Sequence, residues 1–153
     1  MLSDDTFRAQ IDAVIDGLHG WADANRHLAR MEEVRTPRFW RLAMEPRKAD
    51  ACPFELILHA DQRYDAAIGP EVYEDRPIER VDLFAPLLAA VVAGRVVTRT
   101  WRTAGTGAIH SVETIVRFEK GTLTGERVDT TVAACVALES CLASDRHWLP
   151  YDR

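Results

Sequence analysis

Residues 95–128 alternate between apolar and polar positions with a period of two, which is the pattern of half-buried β-strands. The order of segments is VVTRTW, TAGTG, AIHSVETIVRF, EKGT and LTGERV, so two short segments that contain glycine separate three strand-like runs. Short turns of this kind join neighbouring antiparallel strands. The pattern therefore predicts a three-stranded β-meander.

A second pattern, with alternating steps of four and three, runs through residues 4–31 and predicts an amphipathic helix. The stripe consists of Phe7, Ile11, Val14, Leu18, Trp21, Asn25 and Leu28. Ser3 or Asp4 can cap the N-terminus of this helix. The same spacing would suit a coiled coil in which Asn25 sets the register, but it lasts barely three heptads. We therefore favour a helix that lies on the sheet of its own chain.

Three further strands and a last helix are predicted outside these two regions. The strands are expected at residues 36–45, 54–59 and 63–68. The Gly69-Pro70 pair ends the third of them. The last helix is expected to begin at Asp129 or Thr130 and to run to about Ser144.

The segment LFAPLLAAVVAG predicts a short helix that is apolar on every side. It begins near Ile78 or Asp82 and ends at Ala93, and Pro86 favours the later start. Gly94 follows at the position where a left-handed residue often ends a helix. Such a helix has to be covered all round, by the sheet, by another helix or by a partner subunit.

Taken together, the element order α-βββ-α-βββ-α predicts an α+β fold. We expect a two-layer domain in which an antiparallel sheet carries helices mainly on one face. At 153 residues the chain has the usual length of one domain, so residues 1–153 are expected to form a single α+β domain.

Composition narrows the expected setting of the protein. The net charge of -5 argues against general nucleic-acid binding. Seventeen of the nineteen basic residues are arginines spread over the chain, which we interpret as the codon bias of a GC-rich bacterial genome. Three cysteines without a regular framework indicate free buried thiols in a reducing compartment. No signal peptide or membrane span is visible, so we expect a cytoplasmic protein.

The first candidate site is His59 with Asp61, which would share one face of an extended strand. Joined by Asp65, or by His110 and Glu113 from the meander, this pair could form an acid–base site or hold a divalent metal. The motif H-x-D is common by chance, so a turn-forming Asp61 is the preferred interpretation. No phosphate loop, paired-cysteine site or nucleophile elbow is present, and we predict neither a cofactor nor a metal.

Two other segments are candidates for ligand or partner binding. Tyr73 with Glu74 and Asp75 lies in an acidic segment that could meet a basic partner. Arg99 and Trp101 share one face of the first meander strand and could form a platform for an anion or a base. Structural packing is the preferred interpretation of both segments.

Three functions are compatible with these patterns, and whether the chain is an enzyme stays open. The leading hypothesis is a small binding or interaction protein that self-associates or joins a larger assembly, because the apolar helix needs cover and charge is segregated along the chain. The alternative is a small-molecule enzyme or ligand carrier with the His59 and His110 groups around one pocket. A third is single-stranded nucleic-acid binding through arginine and aromatic residues on strands. Those residues are Arg38, Phe39, Trp40, Arg41, Arg99, Trp101 and Arg102.

Overall fold

The structure, a computed structural model, describes residues 2–118, 121–128 and 141–152. This part of the chain forms two α-helices and nine strands. The elements are α1 (Asp4–Ala24), β1 (Ala29–Arg35), β2 (Phe39–Pro46), β3 (Phe54–His59), β4 (Arg63–Ile68), β5 (Glu71–Pro77), a 3₁₀ turn (Val81–Leu83), α2 (Phe84–Val92), β6 (Val96–Thr103), β7 (Ile109–Phe118), β8 (Gly121–Val128) and β9 (Cys141–His147). Strands β1 to β5 form one antiparallel sheet in chain order, and the other four form a second in the order β8-β7-β6-β9. The predicted α+β class is confirmed.

The first sheet has one buried face and one open face. Strands β2 and β3 alternate between buried and half-buried residues, as expected when only one face of a sheet is covered. The inner face is formed by Trp40, Leu42, Met44, Leu56 and Leu58, all essentially inaccessible to solvent. The register places a second row of paired residues, which we call the outer face, on the opposite side. Its central row is Val34, Arg41, Ile57 and Asp65.

Helix α1 covers the inner face. Its buried residues are Phe7, Ile11, Ile15, Leu18 and Ala22, and they belong to the same apolar core as the inner face of β2 and β3. Ser3 caps the helix by accepting a hydrogen bond from the N–H of Thr6. The buried stripe differs from the predicted one at two positions, where Ile15 and Ala22 are buried in place of Val14 and Trp21. The helix ends at Ala24, where the side chain of Asn25 donates to the carbonyl of Trp21, so Asn25 ends a helix instead of setting a coiled-coil register.

Helix α2 is covered within its own chain. It packs against β7 of the second sheet. Strand β5 of the first sheet contacts β7 and β8, so the two sheets are in contact next to this helix. The ring of Tyr64 meets Phe84 edge-on with centroids 5.4 Å apart. Leu88 and Val91 are inaccessible to solvent. The large apolar side chains of this segment are thus covered within the chain, and Ala85 and Ala89 are exposed, so the expected cover on every side is only partly present among the described residues. Neither described helix combines the length and apolar content needed to cross a bilayer.

The C-terminal tail, residues 148–152, binds to the body of the fold. The N–H of Trp148 donates to the carbonyl of Val96, and the N–H of Tyr151 donates to that of Val92. The hydroxyl of Tyr151 donates to the carbonyl of Cys52. These bonds connect the tail to β6, to α2 and to the loop between β2 and β3.

The sequence patterns do not predict strands β1, β5 and β9. The first sheet therefore has five strands instead of the three predicted at 36–45, 54–59 and 63–68. The helical pattern predicted over 4–31 includes residues 29–31 of β1, and the inward-facing Glu33 hides the strand alternation. Strand β5 contains a bulge that breaks its period. Strand β9 begins at Cys141, so the prediction of helix up to Ser144 is wrong there, and the rest of that predicted helix, 129–140, lies outside the described residues.

Candidate functional site

His59 is the last residue of β3 and makes a hydrogen-bonded pair with Asp65 of β4. Its Nε2 lies 2.7 Å from Oδ2 of Asp65, and both side chains are about one-third exposed. Asp61 lies in the turn between the two strands, because β3 ends before the two-residue spacing can place it beside His59. All three line a depression of about 430 Å³ on the outer face. The structure therefore brings Asp65, the expected third member, closer to His59 than Asp61.

Asp65 also organises the backbone of the neighbouring strand. Its Oδ1 accepts the N–H of Asp75 at 2.7 Å, at the bulge where Asp75 adopts a positive φ of 56°. This N–H, followed by the hydrogen bond from His59, lowers the pKa of the Asp65 carboxyl. Asp65 thus stays ionised at neutral pH and holds the ring of His59 in place. Asp75 in turn pairs with Arg63 across 3.3 Å.

His110 and Glu113 lie on the second sheet, away from this pair. The lining of the depression comes entirely from β3, β4, β5 and the β3–β4 turn. Nδ1 of His110 contacts the hydroxyl of Ser111 at 3.3 Å, and Glu113 lies opposite Arg99 in the β6–β7 register. The predicted four-residue site with His59 and Asp61 is therefore divided between two sheets.

The acidic-aromatic segment of β5 has one buried member, Tyr73, and two exposed members, Glu74 and Asp75. Tyr73 is buried where β5 meets the second sheet, and burial raises the pKa of its hydroxyl to about 12. It offers no surface to a partner. Glu74 and Asp75 are exposed at the edge of the depression.

The arginine–tryptophan face is occupied by intramolecular contacts. Arg99 holds Asp145 of β9 through two bonds, Nε–Oδ1 at 2.7 Å and Nη2–Oδ2 at 3.0 Å. Trp101 is half-buried on the same strand. On the first sheet Trp40 is completely buried, and Arg41 pairs with Glu55 at 2.7 Å. The surface expected to stack nucleic-acid bases is therefore largely used up within the fold.

A cavity of about 270 Å³ between α1 and the β1–β2 hairpin was not predicted from the sequence. We call it the helix–hairpin cavity. The face of α1 that begins at Phe7 forms one wall, and residues 35–40 and 58–60 form the other. His59 lines both this cavity and the outer-face depression. The lining residues of the helix–hairpin cavity come from the helix, the hairpin and the β3–β4 turn. No single motif in the sequence could therefore have indicated this cavity.

Three arginines surround this cavity, and they differ in their contacts. Nη1 of Arg35 lies 2.7 Å from Oδ1 of Asp16, and its Nη2 lies 3.8 Å from Oδ1 of Asp12. The guanidinium groups of Arg8 and Arg38 make no ion pair with any described residue. These two exposed groups are available to a ligand.

One group of residues has the composition of a metal site but already has internal partners. Single ligand atoms of His19, Asp23 and Glu33 lie within 4.8 Å of one another. Arg26 contacts Oδ1 of Asp23 at 2.9 Å and Oε1 of Glu33 at 3.2 Å, and the indole of Trp40 donates to Oε2 of Glu33. Arg26 already occupies carboxylate oxygens that a metal ion would need as ligands. The group therefore stabilises the contact between α1 and β1.

The cysteines differ from the expectation of free thiols. Cys52 is free and buried, and burial raises the pKa of its thiol to about 12, which makes it unreactive. Cys141 is disulfide-bonded, so the expectation is wrong for that residue.

No protein-family model matches the chain, and neither a curated protein nor a solved structure matches it.

Proposed function

We propose that this chain is a binding protein whose ligand site is the helix–hairpin cavity. The observation that carries the proposal is the composition of its walls. Apolar side chains from α1 and β3 form the floor, and a few polar groups from the hairpin and from α1 form the rim. Ligand sites in proteins typically combine a concave apolar surface with a small number of such polar groups.

The polar groups around the cavity support binding more than they support catalysis. The hydroxyl of Thr36 accepts the N–H groups of Arg38 and Phe39, each at 3.1 Å, so it caps the turn of the hairpin. Nε2 of His59 is committed to Asp65. A hydroxyl nucleophile with a base beside it, the usual arrangement for covalent catalysis, is not part of this lining.

The proposal is tested by filling the mouth of the cavity. Ala60 is exposed and lines it, so Ala60→Trp should block entry, while Ala13→Trp adds the same side chain to an exposed position of α1 outside the lining. We expect small apolar molecules to raise the unfolding temperature of the wild type and of Ala13→Trp, but not of Ala60→Trp. Equal shifts in all three proteins would contradict the proposal.

Self-association through the outer face is the second candidate function, with a second copy of this chain as the occupant. No described element covers this face, and Val72 on it is 60% exposed. Arg41 contacts Glu55 at 2.7 Å and Glu32 at 3.7 Å, so charges of both signs are interspersed there. A two-fold interface brings one patch against itself, and a patch of mixed sign can satisfy that condition.

The oligomeric state tests this second candidate. Ile57→Arg places a third charge in the central row of the outer face, and Leu142→Arg makes the same change at an exposed position of β9. We expect light scattering to show a dimer for the wild type and for Leu142→Arg, and a monomer for Ile57→Arg. A wild type that stays monomeric at high concentration would exclude this candidate.

A further inference from the structure

The size and floor of the helix–hairpin cavity limit its occupant. Phe7, Ile11 and Leu58 line the inner end of the cavity with apolar side chains that are at most 5% exposed, and their burial within the core keeps them in place. A volume of about 270 Å³ corresponds to about nine water volumes of ~30 Å³ each. The part of an occupant that lies inside this half-open cavity is therefore compact, with roughly ten non-hydrogen atoms, and is substantially apolar.

The rim carries more positive than negative charge, although the chain as a whole has a net charge of -5. Arg8, Arg35 and Arg38 line the cavity, and only Arg35 is paired, with Asp16 and more distantly with Asp12. Three positive charges against two negative ones leave an excess of one. An anion at the mouth would meet two guanidinium groups that form no ion pair within 4 Å with a described carboxylate.

The backbone of the hairpin does not supply the anion contacts. The N–H groups of Arg38 and Phe39 donate to the hydroxyl of Thr36, and the N–H of Thr36 donates to the carbonyl of Phe39 at 2.8 Å. Pro37 has no N–H. Recognition of an anion therefore depends on guanidinium groups, whose planar forks match carboxylate and phosphate oxygens.

From these observations we infer that the ligand is a short apolar molecule, aromatic or branched, with a single terminal carboxylate or phosphate. The apolar part lies on the floor beside α1, and the anionic group lies between Arg8 and Arg38 at the rim. This inference rests on the proposed function, because it assigns a ligand class to the same cavity.

Calorimetric titration of the full chain at low salt tests the ligand class. The probes are 3-phenylpropanoate, phenyl phosphate, the uncharged 3-phenylpropanol, and acetate and inorganic phosphate without an apolar body. Since charged hydrogen bonds contribute about 1.5–3 kcal/mol, we expect the two aromatic anions to bind at least about tenfold more tightly than the alcohol. The double variant Arg8→Gln/Arg38→Gln should lose that advantage. Arg47→Gln/Arg95→Gln, which removes two exposed arginines outside the lining, should keep it.

The outcomes separate the two proposals. Equal binding of the alcohol and the anions, unaffected by Arg8→Gln/Arg38→Gln, overturns the ligand class and leaves the cavity as a binding site. Binding of inorganic phosphate as tight as that of phenyl phosphate overturns it too, since the floor would then contribute nothing. Absence of binding by every aromatic probe overturns the proposed function itself.

Discussion

Glu33 shows how a carboxylate is accommodated at an inward position of β1. Its side chain is only 11% exposed and receives three donors. The indole of Trp40 donates at 2.8 Å, Arg26 lies at 3.2 Å, and Nδ1 of His19 lies at 2.8 Å. A buried charge is tolerated when it is paired and hydrogen-bonded. Because His19 and Arg26 come from α1 and its C-terminal turn, Glu33 also fastens this end of the helix to the sheet.

The stability of this contact should depend on pH through His19. The hydrogen bond to Glu33, followed by the charges of Glu33 and Asp23, raises the pKa of His19, while burial and Arg26 oppose the shift. A group with a raised folded pKa contributes stability that is fully present below its unfolded pKa, about 6.5, and is lost as the pH rises through the folded pKa. We expect His19→Gln to lower the urea midpoint at about pH 5.5 and to leave it nearly unchanged at about pH 9.

His27→Gln is the matched control for His19→Gln. His27 is exposed in the connection between α1 and β1 and makes no ion pair with any described residue. Its substitution should change the midpoint little at either pH. A loss of stability by His19→Gln that is the same at both pH values would show that the contribution of His19 is not ionic.

At the scale of elements, the bulge between β4 and β5 depends on Asp65. Replacing it with alanine removes the acceptor of the Asp75 N–H and leaves His59 without its partner. Because the site is about one-third exposed, we expect Asp65→Ala to reduce the free energy of unfolding by about 1 kcal/mol at neutral pH. Urea unfolding monitored by circular dichroism measures it.

The control for this prediction is Asp61→Ala, which removes an exposed carboxylate from the same depression and should cost less than about 0.5 kcal/mol. The pKa of Asp65 is lowered, so its contribution is present above the unfolded pKa of about 3.9 and lost as the pH falls through the folded pKa. The two variants should therefore converge in acid. Similar losses at neutral pH would mean that the bulge does not need Asp65.

Local patterns predicted the elements better than they predicted the sites. The strand FELILH was predicted with the bounds that the structure gives, because its alternation reflects burial on one face. Strand β1 was missed because Glu33 is an inward carboxylate whose partners come from another element. His59 was paired with Asp61 as a candidate site, with Asp65 or His110 as a third member and a turn-forming Asp61 as the preferred interpretation. Asp65 is the partner of His59 in the structure, because a turn brings β4 beside β3. The cavity is lined by α1, the β1–β2 hairpin and the β3–β4 turn together, which no short segment of sequence contains.

At the scale of the whole molecule, the tail connects parts of the chain that are far apart in sequence. The indole N–H of Trp148 donates to the hydroxyl of Thr98 at 3.0 Å, and the guanidinium of Arg146 lies 3.7 Å from the centroid of the same indole. Trp148 also lies against Gly69, the residue after β4. The tail therefore packs against both sheets, and its attachment should contribute to the cooperativity of unfolding.

Gly94 is the position at which this attachment can be tested. A Cβ on Gly94 would lie 2.6 Å from the backbone nitrogen of Pro150, and a Cβ on Gly105 would meet no atom within 4 Å. Both glycines have positive φ, 77° and 92°, so an alanine costs about 1 kcal/mol at each from backbone strain alone. Gly94→Ala should lose a further 1–3 kcal/mol or so, because the tail has to move, and Arg146 should become more accessible to trypsin. Urea unfolding and limited proteolysis of both variants measure this difference. Equal losses of stability and equal cleavage would mean that the tail can be displaced without a loss of folding free energy. The packing of Trp148 would then not hold the two sheets together.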